Sequence, residues 1–118
     1  MNANIPVYLQ ISQFIENEII NHRLLAEDRV PSTNEFSKSM KVNPATAGKG
    51  LNELVDQGIL FKKRGLGMFV TEEAKEIIIK KRKDSFTKNL LPKILKEANQ
   101  LNISKEELIE RIRSEYDA

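Results

Sequence analysis

Basic side chains are concentrated in one stretch of the chain, between Lys38 and Arg64. The stretch holds two acidic residues, Glu53 and Asp56, against six basic ones: Lys38, Lys41, Lys49, Lys62, Lys63 and Arg64. Its balance of +4 exceeds the +2 of the whole 118-residue chain, so the remainder is net negative. Local positive charge is what neutralising the phosphates of a nucleic acid requires, although a solvated charged surface has the same composition. The elements that carry these charges must decide between the two interpretations.

Residues for catalysis or metal binding are scarce in comparison. The chain has no cysteine and a single histidine, His22. A thiolate site, a Ser-His-Asp triad and a multi-histidine metal site therefore cannot form within one chain. His22 lies near the expected end of a helix, where an imidazole commonly satisfies free carbonyls. We predict that the protein is not an enzyme and has no catalytic residue, metal site or cofactor.

Neither a membrane span nor a secretory leader is recognisable in the sequence. No apolar run reaches the length that a bilayer needs, and no charged-then-apolar segment opens the chain. The absence of cysteine agrees with a reducing compartment. The expected location is the cytoplasm, without a membrane partner.

Two amphipathic helices are predicted before residue 41. The first runs from Ile5 to His22, because apolar residues recur there at helical spacing: Tyr8, Ile11, Ile15 and Ile19. The second begins at Ser32, which forms an S-x-x-E capping box with Glu35, and continues through Met40. The intervening Asp28-Arg-Val-Pro-Ser segment predicts a turn with a short extended piece, since a residue before proline avoids helical angles.

A third helix follows after a short turn and completes a helix-turn-helix. Asn43 is the predicted N-cap, Pro44 the first helical residue, and Gly58 the residue that ends the helix. Two glycines inside it, Gly48 and Gly50, each lower helix propensity by about 1 kcal/mol relative to alanine. We expect tertiary contacts to compensate for them.

Two short apolar segments separated by a glycine-bearing turn predict a β-hairpin. The segments are Ile59-Leu60-Phe61 and Met68-Phe69-Val70, and residues 62–67, KKRGLG, form its basic tip. Three helices followed by a hairpin make a winged helix. The expected fold class is therefore mainly α with a small β-hairpin, a winged helix-turn-helix over residues 1–71.

Residues 72–118 predict a short helical segment, because glycine disappears and charged helix formers take over beyond Thr71. Pro92 should either kink one helix or separate two, and Ser104 begins a last helix through a capping box with Glu107. The segment is too small to bury its own apolar stripes. We expect it to form a homodimer through Phe86, Leu90, Leu91, Ile94, Leu95, Ala98, Leu101, Leu108, Ile109, Ile112 and Tyr116.

The order of these motifs resembles the DNA-binding domain of the GntR family of bacterial transcription regulators. The matching segments lie in about the first 71 residues: Pro6-Val-Tyr-Leu-Gln-Ile, the Asp28-Arg-Val-Pro-Ser turn and the Gly65-x-Gly-x-Phe-Val wing. The Val42-Asn43-Pro44-x-Thr46 helix start and the short helical segment are similar to the YtrA subfamily, in which that segment is chiefly a dimerisation element. The resemblance implies a transcription regulator, a repressor, that binds double-stranded DNA. The two-fold symmetry of the expected homodimer implies an inverted-repeat operator.

In a helix-turn-helix, the first turn of the third helix meets base edges in the major groove, and a basic wing suits phosphates or a narrow minor groove. Thr46 is expected to read a base, Lys49 to reach a phosphate, and Asn43 to cap its helix first. Asn34 departs from the family, which usually has arginine there, and Gly48 stands where other subfamilies often have arginine. The predicted DNA-binding residues are Ser32, Thr33, Asn34, Asn43, Pro44, Ala45, Thr46, Lys49, Lys62, Lys63, Arg64, Gly65, Leu66 and Gly67.

Two other functions are compatible with the sequence. A winged helix can serve protein contacts without DNA, although a basic wing with paired glycines favours DNA, and a heparin or gel-shift assay separates the two. Many regulators of this family respond to metabolites, so a small-molecule effector is the second alternative. Residues 72–118 are too few to enclose a usual pocket, so that effector would bind at the dimer interface or the domain junction.

Overall fold

A computed structural model describes residues 4–118 and divides into two units. The first, which extends to Lys80, is called the head, and the second, Lys81–Ala118, is called the tail. Composition placed the boundary earlier, at residue 72. The contacts place it later because Ala74 and Ile78 are buried in the core of the head.

The three predicted helices of the head are present. They are α1, Val7–Ile20, α2, Thr33–Met40, and α3, Pro44–Asp56. Ser32 and Glu35 form both hydrogen bonds of the predicted capping box at the start of α2. The start signals of α2 and α3, at Ser32 and Asn43, act over three residues or fewer. This short range explains why the sequence located the starts of these two helices closely.

The core of the head lies where α1 packs against α3. Ile11, Ile15, Leu51 and Leu54 are fully buried there. Gly50 allows the two helices to touch, because a Cβ at this position would lie 2.5 Å from the backbone oxygen of Tyr8. The Ser12 hydroxyl also donates to the Gly50 carbonyl oxygen at 2.7 Å. The tertiary compensation expected for the glycines of α3 is thus found at Gly50.

The hairpin consists of β1, Leu60–Lys63, and β2, Gly67–Val70, paired antiparallel with Leu60 opposite Val70. The prediction that the turn spans all of residues 62–67 is wrong. Lys62 and Lys63 extend β1, because they pair with Met68 and Gly67. The tip is therefore limited to residues 64–66.

A third extended piece pairs with the hairpin. Arg29 forms an antiparallel bridge with Phe69, Val30 N–H donates to the Met68 oxygen at 2.9 Å, and Val70 N–H donates to the Asp28 oxygen at 2.9 Å. The sequence predicted the extended piece but not its partner. The pairing attaches the wing to the chain that leads into α2.

The remaining helices are α4, Ala74–Ser85, α5, Leu91–Gln100, and α6, Lys105–Asp117. A π-helical turn, Phe86–Leu90, lies between α4 and α5. The Ser104 hydroxyl accepts from Glu107 N–H at 3.1 Å, as predicted for the start of the last helix. Among residues 4–118, no helix combines the length and the apolar character that crossing a membrane demands.

The π-helical turn shows how the helical backbone accommodates Pro92. Ser85, Leu90 and Leu91 all have right-handed helical dihedral angles, and Leu91 N–H donates to the Phe86 oxygen. Proline has no N–H, and its ring clashes with the carbonyl four residues before it. One wider turn ahead of Pro92 accommodates the ring while the backbone stays helical.

Candidate nucleic-acid interface

The start of α3 is exposed and firmly capped. Asn43 Oδ1 accepts from Ala45 N–H at 2.8 Å, which confirms the predicted N-cap. Asn43, Pro44 and Ala45 are exposed, and Thr46 is half-buried. The cap leaves the Nδ2 group of Asn43 free of this bond and able to donate to a base edge. The first turn of α3 is thus capped and open to a ligand.

The start of α2 holds three predicted residues in different environments. The Ser32 hydroxyl accepts from Glu35 N–H at 3.1 Å, so this side chain is engaged in capping. The half-buried Thr33 side chain lies beside Gly48 of α3, 3.8 Å from where a Cβ would stand. Asn34 is exposed. Of the three, Asn34 has the side chain most available to DNA.

Lys49 extends from α3 towards α1. Its Nζ lies 4.0 Å from the centroid of the Tyr8 ring, a cation–π contact. Such a contact holds the ammonium group over the negative face of the ring without neutralising its charge. The helical spacing of Tyr8 predicted its place in the apolar stripe of α1 but not its contact with Lys49.

The tip of the wing is a tight exposed turn. Leu66 N–H donates to the Lys63 oxygen at 2.9 Å, and the Leu66 side chain is 65% exposed. Gly65 has a φ of 78°, and nothing lies within 4 Å of the position of a Cβ there. Together with the exposed Arg64, this geometry leaves room for a sugar-phosphate backbone to approach closely.

The two lysines of β1 are not brought together. Adjacent residues of a strand point to opposite faces of the sheet, so Lys62 and Lys63 diverge. The Lys63 ammonium lies 4.6 Å from the ring centroid of Phe69 and 5.5 Å from that of Phe61. These two rings pack 5.9 Å apart. Lys63 is therefore held over an aromatic surface, whereas Lys62 lies on the other face.

Arg29 joins the wing to the helix-turn-helix, a role that the sequence analysis missed. Its Nη2 donates to Glu35 Oε1 at 3.0 Å, and its Nε donates to the Leu66 oxygen at 3.3 Å. The pKa of the Glu35 carboxyl is lowered from 4.5, mainly by the hydrogen bond from Ser32 N–H and next by that from Arg29. Glu35 is thus a carboxylate at neutral pH, able to pair with the guanidinium.

Contacts therefore connect all three segments predicted to bind DNA. The wing tip contacts Arg29, Arg29 contacts Glu35 in the first turn of α2, and Thr33 of that turn lies beside Gly48 of α3. The start of α2 thus lies between the wing and the third helix. One connected set of short-range contacts can hold these segments in register.

The predicted dimerisation residues lie mostly on the surface of the tail. Ala98 is buried, with 8% of its surface exposed, and Leu91 and Leu108 are half-buried, so these three have less surface to offer a partner. An open groove of about 410 Å³ runs beside Phe86 and Leu90. The other eight residues are exposed: Phe86, Leu90, Ile94, Leu95, Leu101, Ile109, Ile112 and Tyr116.

A comparison with known protein families identifies the family to which the head is similar. A sequence model described as "Bacterial regulatory proteins, gntR family" matches residues 7–70, more than half of the chain. The chain belongs to the GntR family. This family consists of transcription regulators and not of enzymes, so the GntR chain is a DNA-binding transcription regulator.

Relatives of this GntR chain match it over nearly its whole length. The regulator YhcF of Bacillus subtilis is 35% identical over 92% of this chain and 88% of its own. The repressor YtrA of the same organism is 28% identical over 94% of this chain and 85% of its own. The predicted likeness to the YtrA subfamily is confirmed.

Solved structures confirm the fold class of the GntR chain. A transcriptional regulator from Oenococcus oeni superposes with a TM-score of 0.82 at 25% identity, covering 97% of this chain and 93% of that one. The DNA-binding domain of AraR in complex with operator ORX1 gives a TM-score of 0.55 at 31% identity, over 57% of this chain and 81% of its own. The winged helix and the helical C-terminal region are both found among these neighbours.

Proposed function

We propose that this GntR regulator is a homodimeric repressor that binds an inverted-repeat operator with the start of α3, the start of α2 and the wing. The observation that carries the proposal is the connected path from the wing tip through Arg29 and Glu35 to Thr33 and α3. Two relatives support it: YtrA is named a repressor, and AraR is seen on an operator. Action on bacterial DNA implies the cytoplasm as its location.

Within this proposal, α3 and α2 share the reading of sequence. The exposed first turn of α3 enters the major groove with Asn43, Ala45 and Thr46, and Pro44 fixes the geometry of that turn. The Thr46 methyl group suits a thymine methyl, and its hydroxyl suits a base edge. Ser32 and Thr33 place the start of α2, from which the exposed amide of Asn34 donates to or accepts from DNA.

The basic residues hold the sugar-phosphate backbone. Lys49, oriented by Tyr8, and the two lysines of β1 supply phosphate contacts that carry no sequence information. Arg64 enters the minor groove, where Gly65 and Gly67 allow close approach and the exposed Leu66 adds an apolar contact.

Dimerisation through the tail brings a second head to the operator. Large apolar side chains stay exposed in the π-helical turn and along α5 and α6, with Leu90 at 47%, Ile94 at 41% and Ile112 at 49%. A surface of this kind marks an interaction site. A second copy covers it most simply, since a two-fold axis then presents both heads to an inverted repeat.

Replacing Thr46 with alanine tests base reading by α3. We expect a loss of about 1 to 3 kcal/mol on a duplex recovered by selection and little change on a scrambled duplex. Titrations at one fixed salt concentration measure both affinities. Thr46→Ser, which keeps the hydroxyl and removes the methyl group, separates the two kinds of contact. Equal losses on both duplexes would show that Thr46 does not read bases.

Asn34→Arg adds a charged contact, whereas Thr46→Ala removes a base contact, and the same titrations measure both. The added charge should strengthen binding to the scrambled duplex more than to the selected one. It should also make the negative slope of log affinity against log salt steeper by about one. Asn34→Arg should unfold at the native temperature, since Asn34 is exposed. Thermal unfolding of Thr46→Ala is the control for a folding role of the half-buried Thr46. An unchanged salt slope for Asn34→Arg would place residue 34 away from the phosphates.

A further inference from the structure

We propose that Arg29 is a positioning residue that fixes the wing tip against the start of α2, so that the wing and the helix-turn-helix engage DNA as one rigid surface. The proposal rests on the wing contact of the proposed function. It assigns to Arg29 an effect on DNA binding that acts through Arg64, without requiring Arg29 itself to contact DNA.

The guanidinium of Arg29 makes two contacts with different elements. Nη2 donates to Glu35 Oε1 in the first turn of α2 at 3.0 Å, and Nε donates to the backbone oxygen of Leu66 in the tip at 3.3 Å. The planar fork of arginine offers donors in fixed, divergent directions, whereas a lysine ammonium is a compact point charge. A lysine at position 29 would keep the charge and lose the bridge.

The absence of a side chain at Gly67 leaves room for the Arg29 guanidinium. A Cβ there would lie 3.1 Å from Arg29 Nε, closer than nine in ten real Cβ contacts, and the φ of Gly67 is 117°. The backbone of Arg29 is itself bonded into the sheet opposite Phe69. Both ends of the Arg29 side chain are thus fixed, one by the sheet and one by Glu35.

The wing tip has little packing of its own. Gly65 has open space around it, and Leu66 is 65% exposed. A tip that moves freely must be ordered when it binds, which weakens binding. Since exposed ion pairs contribute little to global stability, loss of the Arg29 bridge should change DNA binding and leave the unfolding temperature nearly unchanged.

A double-mutant cycle between Arg29→Lys and Arg64→Ala tests the proposal, with a mixed-sequence duplex titrated over a range of salt concentrations. Arg64→Ala alone should lower the affinity and reduce the salt slope by about one. Arg29→Lys, which keeps the charge, should weaken binding by a similar factor. In the Arg29→Lys background, Arg64→Ala should cost much less than in the native protein. Arg23→Lys, at an ion pair with Glu18, is the matched control and should change nothing.

Amide hydrogen exchange in the free protein gives a second readout that does not depend on DNA. Arg29→Lys should speed exchange at Leu66, whose N–H closes the turn onto Lys63, and leave α1 unchanged. Additive losses in the cycle, or native affinity for Arg29→Lys, would overturn the positioning role. If Arg64→Ala has no effect, the wing contact of the proposed function fails, and the effect of Arg29 on DNA binding fails with it. Unchanged exchange at Leu66 would separately overturn the positioning of the wing tip by Arg29.

Discussion

Replacing Gly50 with alanine is expected to destabilise the head by about 1 to 3 kcal/mol, the usual cost of overpacking a core. The added Cβ would lie 2.5 Å from the Tyr8 backbone oxygen and 3.1 Å from two carbon atoms of Ile11. Neither neighbour can yield easily, since one is backbone and the other is fully buried. Separation of α1 from α3 would also weaken the Ser12 hydrogen bond to Gly50. Urea denaturation followed by circular dichroism measures the change.

Gly48→Ala is the matched control on the same helix. The nearest atoms to its new Cβ belong to the Thr33 side chain at 3.8 Å, an ordinary contact distance. With no clash, the gain in helix propensity should stabilise the protein by up to about 1 kcal/mol. Effects of the same sign and size at both glycines would contradict the packing that the structure shows.

Glutamate at both Leu90 and Ile112 is expected to convert the proposed homodimer to a monomer. The two side chains are about half exposed, so the tail should still fold, but a partner would have to bury two unpaired charges. Losing the second head removes avidity, which is worth roughly 10² to 10⁴ in affinity for a two-site ligand. Sedimentation velocity measures the assembly, and titration against an inverted-repeat duplex measures the loss.

Ser114→Glu adds a charge to an exposed position of the same helix, α6, on the side away from Ile112. It should leave both the dimer and the affinity unchanged. The double variant should bind a duplex with a single half-site as tightly as the native protein does. A native protein that sediments as a monomer at micromolar concentration, or a double variant that remains dimeric, would exclude the tail as the interface.

The helix starts of the head could be predicted because their signals are local. Ser32 bonds to Glu35, and Asn43 bonds to Ala45, within three residues or fewer. The bridge made by Arg29 could not be predicted in the same way, since Leu66 lies 37 residues away. Arg29 belongs to the Asp28-Arg-Val-Pro-Ser motif, but a motif does not show what the side chain contacts.

In the C-terminal half, the structure goes beyond the sequence at the unit boundary and at Pro92, because both depend on contacts formed only in the folded chain. Composition changes at residue 72, whereas the unit boundary depends on burial of Ala74 and Ile78 against the head, which only the folded core reveals. Pro92 must disturb a helix, but whether the chain kinks, breaks or widens depends on the neighbouring turns. Here it widens into the π-helical turn Phe86–Leu90.

Selection of bound duplexes from a random DNA pool tests whether this protein reads DNA sequence as a dimer. We expect enrichment of one sequence arranged as an inverted repeat, with the half-sites on one face of the duplex. The same selection with Thr46→Ala should lose or relax the preference at particular positions of each half-site. Recovery of no enriched sequence by the native protein, or of a single unrepeated site, would contradict the account of a dimeric, sequence-reading GntR regulator.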